Sequence, residues 1–156
     1  MTIEILGTGP EIIKNGTRGV EPVIEEVIKN ARKEIQIAVY VLTSRALHLI
    51  ELLADAAKRG VKITLILNAR TCRDKEISLK LDYLVESFPH VRVINFRSLK
   101  KQLHAKVIVV DRNTAIIGSA NFSWGGMYSN YEIGVLVEGN PAWEVAKILD
   151  QLCLIN

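Results

Sequence analysis

Four side chains that can attack or hold a phosphate group fall between positions 104 and 121 of this chain. They are His104, Lys106, Ser119 and Asn121. A neutral imidazole can attack phosphorus without a separate base, because imidazole titrates near neutral pH. A lysine supplies positive charge for the non-bridging oxygens, and hydroxyl and amide groups add hydrogen bonds. The pattern therefore indicates nucleophilic cleavage of a phosphodiester bond.

The surrounding residues predict two strands that bring these side chains to one edge. Residues 103–110 are rich in β-branched types and predict a strand, on which His104 and Lys106 share a face. Residues 111–114 predict a turn, because Asp and Asn bond to the nearby backbone. Residues 115–117 predict a second, antiparallel strand, so that the serine and asparagine that follow it lie beside the histidine and the lysine.

This chemistry requires neither a metal ion nor a cofactor. The sequence contains no cluster of carboxylates of the kind that holds two metal ions in many nucleases. We therefore predict no metal site and no cofactor.

The pattern H-x-K-x4-D-x6-G-S-x-N, which includes Asp111, resembles the signature of the phospholipase D superfamily, the HKD motif. Glu132 lies eleven residues beyond Asn121, where single-motif endonucleases of that superfamily have a glutamate that orients the nucleophilic histidine. The resemblance covers most of the chain, from Gly19 to Asn156. It implies a phospholipase D-like fold.

The resemblance also implies a two-step reaction. One histidine forms a covalent phosphohistidine, and a second histidine, from another copy of the motif, protonates the leaving oxygen. Water activated by the second histidine then releases the product. The candidate catalytic residues are His104, Lys106, Asp111, Ser119, Asn121 and Glu132. The resemblance gives Asp111 a mainly structural role without substrate contact.

The chain contains one copy of the motif. The other histidines, His48 and His90, lack a lysine two positions further on. If catalysis needs two histidines, two chains must pair around an axis close to the site. The expected partner is therefore a second copy of this chain in a homodimer.

The length of 156 residues predicts one domain, 1–156, with a substantial core. The net charge of +3 is compatible with nucleic acid as a partner without being diagnostic of it. We expect no signal peptide, no membrane span and no stable membrane association. Cys72 and Cys153 are far apart in sequence, which favours free thiols and a cytoplasmic location, although a bridge between them is an open alternative.

Helical and strand patterns alternate along the chain. Helical spacing is found at 20–33, 44–59 (with Ser44 as cap), 74–88 and 141–152, and strand patterns at 34–42, 61–67, 91–96 and 132–137. This order predicts an α/β fold with a mixed, mostly parallel β-sheet and helices on both faces.

Two groups of basic residues are candidates for binding the substrate backbone. Arg97, Lys100 and Lys101 directly precede the motif strand, and a second group, Arg70, Arg73 and Lys75, follows another strand. Loops at the carboxyl ends of parallel strands gather at one rim, where such cations would track a polyanion. The alternative is a solvated loop without a partner.

Several aromatic and apolar residues follow Asn121: Phe122, Trp124, Met127, Tyr128 and Tyr131. Aromatic side chains of this kind stack on unpaired bases in single-strand binders. Packing in the core or in a dimer interface is the more common use of such residues.

Three functions are therefore open. The first is a metal-independent endonuclease that cleaves DNA or RNA. The second is a phospholipase D-type lipid hydrolase, and the third is a non-catalytic nucleic-acid-binding module of a larger protein.

Overall fold

The computed structural model describes residues 1–68, 74–98 and 100–155. Its strands are β1 (Ile3–Thr8), β2 (Arg18–Gly19), β3 (Glu34–Val39), β4 (Lys62–Asn68), β5 (Val91–Phe96), β6 (Lys106–Val110), β7 (Thr114–Gly118) and β8 (Glu132–Glu138). Its α-helices are α1 (Pro10–Ile13), α2 (Val20–Asn30), α3 (Leu47–Lys58), α4 (Lys75–Ser87) and α5 (Asn140–Ile155).

The eight strands form one mixed sheet in the order β2-β1-β8-β7-β6-β3-β4-β5. Helices α3 and α4 connect the parallel strands β3, β4 and β5, and β1 also pairs in parallel with β2. The pairs β3–β6, β6–β7, β7–β8 and β8–β1 are antiparallel. The predicted mixed sheet is confirmed, but parallel pairing is the minority among the described strands, because a tight turn joins β6 to β7 and no helical crossover intervenes.

Helices cover both faces of the sheet, as predicted. Helices α2, α3 and α4 pack on one face, and α5 packs on the other. Strand β6 shows how alternation divides the core, because Ile108 and Val110 face the first layer whereas Val107 and Val109 face α5. Each fully buried aliphatic side chain stabilises the fold by about 1.5–3 kcal/mol.

Two predicted boundaries differ from the structure. Strand β6 begins at Lys106 and not at Leu103. Helix α3 begins at Leu47 after a 3-10 turn at Ser44–Ala46, and Ser44 does not cap it. Instead the backbone amide of Ser44 donates to Asp74 Oδ2 (2.8 Å), so a tertiary contact fixes this turn.

Several elements have no counterpart in the sequence prediction: β1, α1, β2 and a short π-helical turn at Gly125–Ser129. None of the helices in the described part of the chain has both the length and the apolar character that crossing a membrane requires.

Candidate active site

The motif residues gather at one edge of the sheet because of strand direction. Lys106 begins β6 and pairs with Val39, the last residue of β3. Gly118 ends β7 opposite Gly134 of β8, so Ser119 and the start of β8 lie at the same edge. This edge also holds the carboxyl ends of the parallel strands β3, β4 and β5.

His104 and Lys106 lie side by side, although only Lys106 belongs to the strand. The Lys106 ammonium is 3.1 Å from His104 Nδ1 and donates to the carbonyl oxygen of His104 at 2.9 Å. An ammonium can only donate, so in this arrangement Nδ1 accepts and carries no proton. Burial lowers the pKa of Lys106, and the nearby Glu132 carboxylate partly offsets this effect. The pair therefore presents a nucleophile and a cation to the same space.

Tyr40 supports this pair from the end of β3. Its ring lies 4.5 Å from the His104 ring, centroid to centroid, and 5.3 Å from the Lys106 ammonium. The tyrosine thus limits the orientations open to the imidazole and faces the positive charge with its π-system.

Glu132 is only 9% exposed and has two hydrogen-bond donors. The Ser119 hydroxyl donates to one carboxylate oxygen, and Asn130 Nδ2 donates to the other at 3.3 Å. Ser119 Oγ also accepts from the backbone amide of Ile133 at 3.2 Å. These contacts hold a buried negative charge close to Lys106 and fix the serine at the edge.

Asn121 is held by backbone groups. Its Oδ1 accepts from the amide of Val41 at 3.2 Å, which fixes the side chain beside Tyr40. Gly126 packs directly on the Asn121 backbone: a Cβ at position 126 would lie 2.1 Å from the Asn121 carbonyl oxygen. Any larger residue at position 126 would therefore displace the asparagine.

Asp111 lies at the other end of β6, at the opposite edge of the sheet. Its carboxylate accepts the backbone amides of Arg32, Lys33 and Glu34 at 2.7–3.3 Å. Burial alone would raise the pKa of Asp111, but the three amides outweigh burial and lower it. Both Asp111 and Arg112 have positive φ, 53° and 54°, as in a type I′ turn. The geometry fits the structural role that the resemblance implied.

The candidate backbone-binding loop at 97–101 leads directly into His104. Arg97, Lys100 and Lys101 are exposed, and the Ser98 hydroxyl accepts the amides of both lysines at 3.3 and 3.1 Å. Residues Arg70, Cys72 and Arg73 lie outside the described residues. Lys75 begins α4.

The aromatic residues after Asn121 divide into two classes. Phe122 and Met127 are buried in the core, as expected for packing residues. Trp124, Tyr128 and Tyr131 are exposed.

One group in the described ranges has donor atoms close enough to ligate a metal ion: Glu21, Glu25 and His48, all within 4.8 Å of one another. These residues lie on α2 and α3 and not among the motif residues. His48 Nε2 is 2.6 Å from Glu21 Oε1, so a hydrogen bond joins the two helices within this group. His90 Nε2 donates to the carbonyl oxygen of Ala57 at 2.8 Å.

Two residues of the site, Asn130 and Tyr40, were given no role in it by the sequence analysis. Asn130 stands two positions before Glu132, and extended-chain spacing could have indicated that both side chains share a face. Tyr40 gave no comparable signal, because its place beside His104 depends on the pairing of β3 with β6.

Comparison with a family model gives a match over residues 24–153 to the family described as cardiolipin synthase, PLD-like domain. The DISARM protein DrmC of Bacillus paralicheniformis is 30% identical over 155 residues, which cover 99% of this chain and 65% of DrmC. A match to phospholipase D Z of Dictyostelium discoideum, at 32% identity, covers 75% of this chain and 31% of that protein. A match to cardiolipin synthase A of Buchnera aphidicola, at 26% identity, covers 88% of this chain and 27% of that protein. The chain thus spans less than two thirds of the length of these curated relatives.

Two solved structures share the fold. The phospholipase D family member Nuc from Salmonella typhimurium superposes with a TM-score of 0.78 at 22% identity, covering 96% of this chain and 92% of Nuc. NucT from Helicobacter pylori superposes with a TM-score of 0.76 at 19% identity, covering 97% and 96%. Together with the family match and the arrangement of His104, Lys106 and Glu132, these findings identify the chain as a member of the phospholipase D superfamily.

Proposed function

We propose that this protein is a metal-independent endonuclease that cleaves DNA or RNA through a covalent phosphohistidine. The observation that carries the proposal is the contact of His104 Nδ1 with the Lys106 ammonium at the edge where Ser119 and Glu132 also meet. The fold is shared with the phospholipase D family member Nuc, and the net charge of +3 and the basic residues before His104 favour nucleic acid as the substrate class.

In the proposed first step, the Lys106 ammonium turns from His104 Nδ1 to the phosphate oxygens, the freed lone pair of the neutral imidazole attacks phosphorus, and the bond to the leaving oxygen breaks. Lys106 and Asn121 bind the non-bridging oxygens and stabilise the charge that develops on them. Glu132 holds Ser119 at the edge of the site and balances the charge of Lys106. The backbone of the substrate follows the basic residues Arg97, Lys100, Lys101 and Arg73.

The leaving oxygen needs a proton, and within the described residues no second imidazole lies beside His104. We therefore propose that His104 of the partner subunit in a homodimer supplies this proton. That imidazole, now neutral, takes a proton from water in the second step. The water oxygen forms a bond to phosphorus, the phosphorus–nitrogen bond breaks, and both histidines return to their starting states.

The substrate class is tested by a panel in EDTA. Labelled single-stranded DNA, duplex DNA, RNA and phosphatidylcholine are each incubated with the parent protein, His104→Asn and the control His90→Asn. His90 lies before β5, at the opposite edge of the sheet. We expect nucleic-acid cleavage by the parent and by His90→Asn, and none by His104→Asn. Turnover of the lipid alone would favour a phospholipase. Binding of nucleic acid without turnover would favour a non-catalytic module. Cleavage that is lost in EDTA would contradict the metal-free reaction.

The dimer is tested with a mixed dimer of one unaltered chain and one His104→Asn chain, isolated with two affinity tags. If both histidines serve one reaction, the mixed dimer has far less than half of the parent activity. An activity of one half would show that each chain works alone.

A further inference from the structure

Two of the three exposed aromatic residues named beyond Asn121 form a cluster with a cation. The rings of Trp124 and Tyr128 lie 4.8 Å apart, centroid to centroid, and the Arg45 guanidinium lies 5.8 Å from the centre of the Trp124 ring. Trp124 is 53% exposed, whereas its neighbours Phe122 and Met127 are buried. We call Arg45, Trp124 and Tyr128 the aromatic patch.

The aromatic patch is joined to the candidate active site by two short chain segments that run side by side. The Asn121 side chain accepts a hydrogen bond from the amide of Val41. Two backbone hydrogen bonds of 3.0 Å continue the contact: the Phe122 amide donates to the carbonyl oxygen of Val41, and the Thr43 amide donates to the carbonyl oxygen of Phe122. One segment leads from Tyr40, which touches His104, to Arg45. The other leads from Asn121 to Trp124.

The separation along these segments fits a nucleic-acid strand. Three residues of chain extend at most ~10 Å, which limits the distance between the backbones of Asn121 and Trp124. Stacked nucleotides rise by roughly 3.4 Å each along one strand, so an indole at this place is within reach of a base one to three nucleotides from the bound phosphate.

We propose that the aromatic patch binds an unpaired base beside the scissile phosphate, with the base stacked on Trp124 and the adjoining phosphate paired with Arg45. This inference rests on the proposed nuclease function and narrows its substrate to single-stranded nucleic acid. The faces of a base in a duplex are covered by its neighbours, so a duplex offers Trp124 no free surface. Because every base has a π-face, the site tolerates any sequence.

The chain contains a matched control. Trp143 on α5 is also exposed, at 44%, and has the Lys147 ammonium 4.2 Å from its ring centre, but it lies on the helix that covers the other face of the sheet. The two tryptophans are the only ones in the sequence. Trp143→Phe therefore leaves Trp124 as the single indole, and Trp124→Phe leaves Trp143.

Binding is measured by indole fluorescence with both variants in a His104→Asn background, which prevents cleavage during the titration. We expect a single-stranded oligonucleotide to quench Trp124 strongly and to leave Trp143 unchanged. No quenching of Trp124, or equal quenching of both indoles, would overturn the proposal. Because this readout does not require turnover, it remains decisive even if the nuclease function fails.

Cleavage provides the second measurement, with His104 intact. Trp124→Ala is expected to raise KM for a single-stranded substrate about 5- to 100-fold, the range of base–aromatic stacking, with little change in kcat. Trp124→Phe should retain part of the affinity, and Trp143→Ala should match the parent. Two results would show that Trp124 serves the fold or the dimer interface instead. One is an equal loss of cleavage efficiency on single-stranded and duplex substrates, and the other is a lower oligomeric mass of the Trp124→Ala variant.

Discussion

Two histidines of this protein each lie close to a tyrosine, but the charged groups beside them have opposite signs. Nδ1 of His104 faces the Lys106 ammonium, which can only donate a hydrogen bond, whereas Nε2 of His48 faces the carboxylates of Glu21 and Glu25 at 2.6 and 3.5 Å. A hydrogen bond with an ammonium uses the lone pair of a ring nitrogen, whereas a hydrogen bond with a carboxylate uses its proton.

The sign of the charge beside each imidazole indicates which histidine is available to react with a phosphate. His48 is already engaged in a contact between α2 and α3, with the Glu21 carboxylate at 2.6 Å, and in a second contact with the Tyr128 hydroxyl at 3.3 Å. His104 keeps an unprotonated nitrogen next to a cation that binds phosphate. The type of neighbouring charge therefore distinguishes a nucleophile from a structural histidine, and the predictions below test this distinction.

Replacement of His104 should have the largest effect. His104→Asn removes the nucleophile, so we expect kcat to fall by at least ~10³-fold. The side chain is exposed, and the thermal midpoint should stay close to that of the parent. Initial rates on labelled DNA and a melting curve check both statements. Residual activity above one tenth of the parent value would contradict the assignment.

Lys106→Met should have the next largest effect on activity. Loss of the phosphate-binding charge is expected to lower kcat by about 10²- to 10³-fold. Stability should not decrease. Burial lowers the pKa of Lys106, which means that the folded state disfavours the charged ammonium. At a pH below this lowered pKa the side chain is charged, so replacing it with methionine removes an unfavourable contribution to the free energy of folding. The control is Lys80→Met, an exposed lysine on α4 outside the proposed site. A marked drop in the melting temperature of Lys106→Met alone would show that the ammonium is needed for folding.

Local patterns predicted the parts of this site that lie close together in sequence. The sequence was sufficient to predict that His104 and Lys106 are neighbours and that β6 and β7 pair, because both depend on alternation and a tight turn. It also predicted β5 over 91–96. The predicted strand was wrong for residues 103–105, which have no β-branched side chain; the β-branched run that forms β6 begins after Lys106.

The parts that sequence could not predict depend on contacts between distant segments. Tyr40 reaches His104 only because β3 pairs with β6, and Gly126 reaches Asn121 only because a π-helical turn folds back. The predominance of antiparallel pairs also follows from strand order, which propensity does not determine. The roles of the site residues, the homodimer and the extent of the domain stay predictions.

Asp111→Asn should affect stability and leave chemistry almost intact. Asparagine tolerates the positive φ of this position, so the variant changes mainly the charge. Loss of charge-assisted bonds to three amides should lower the free energy of unfolding by about 1–3 kcal/mol at pH 7. The amides lower the pKa of Asp111 in the folded protein below its unfolded-state pKa of ~3.9. The contribution of the carboxylate to stability is therefore complete above pH ~3.9 and is lost as the pH falls through the folded-state pKa. Urea unfolding between pH 7 and pH 3 should therefore show that the difference in unfolding free energy between parent and variant becomes smaller in acid. A difference that stays constant with pH would exclude the carboxylate as the cause of the destabilisation.

His48→Gln should have the smallest effect and completes the comparison with His104. The His48–Glu21 pair is partly exposed, with 32% and 12% of the side chains accessible, so its loss should cost less than ~1 kcal/mol of unfolding free energy. Activity on DNA should stay within about threefold of the parent, since His48 contacts no motif residue and meets the aromatic patch only through the Tyr128 hydroxyl. The stability difference should shrink in 1 M salt, where exposed charges are screened. A loss of activity as large as that of His104→Asn would mean that a carboxylate-bound imidazole takes part in the chemistry, and the distinction between the two histidines would fail.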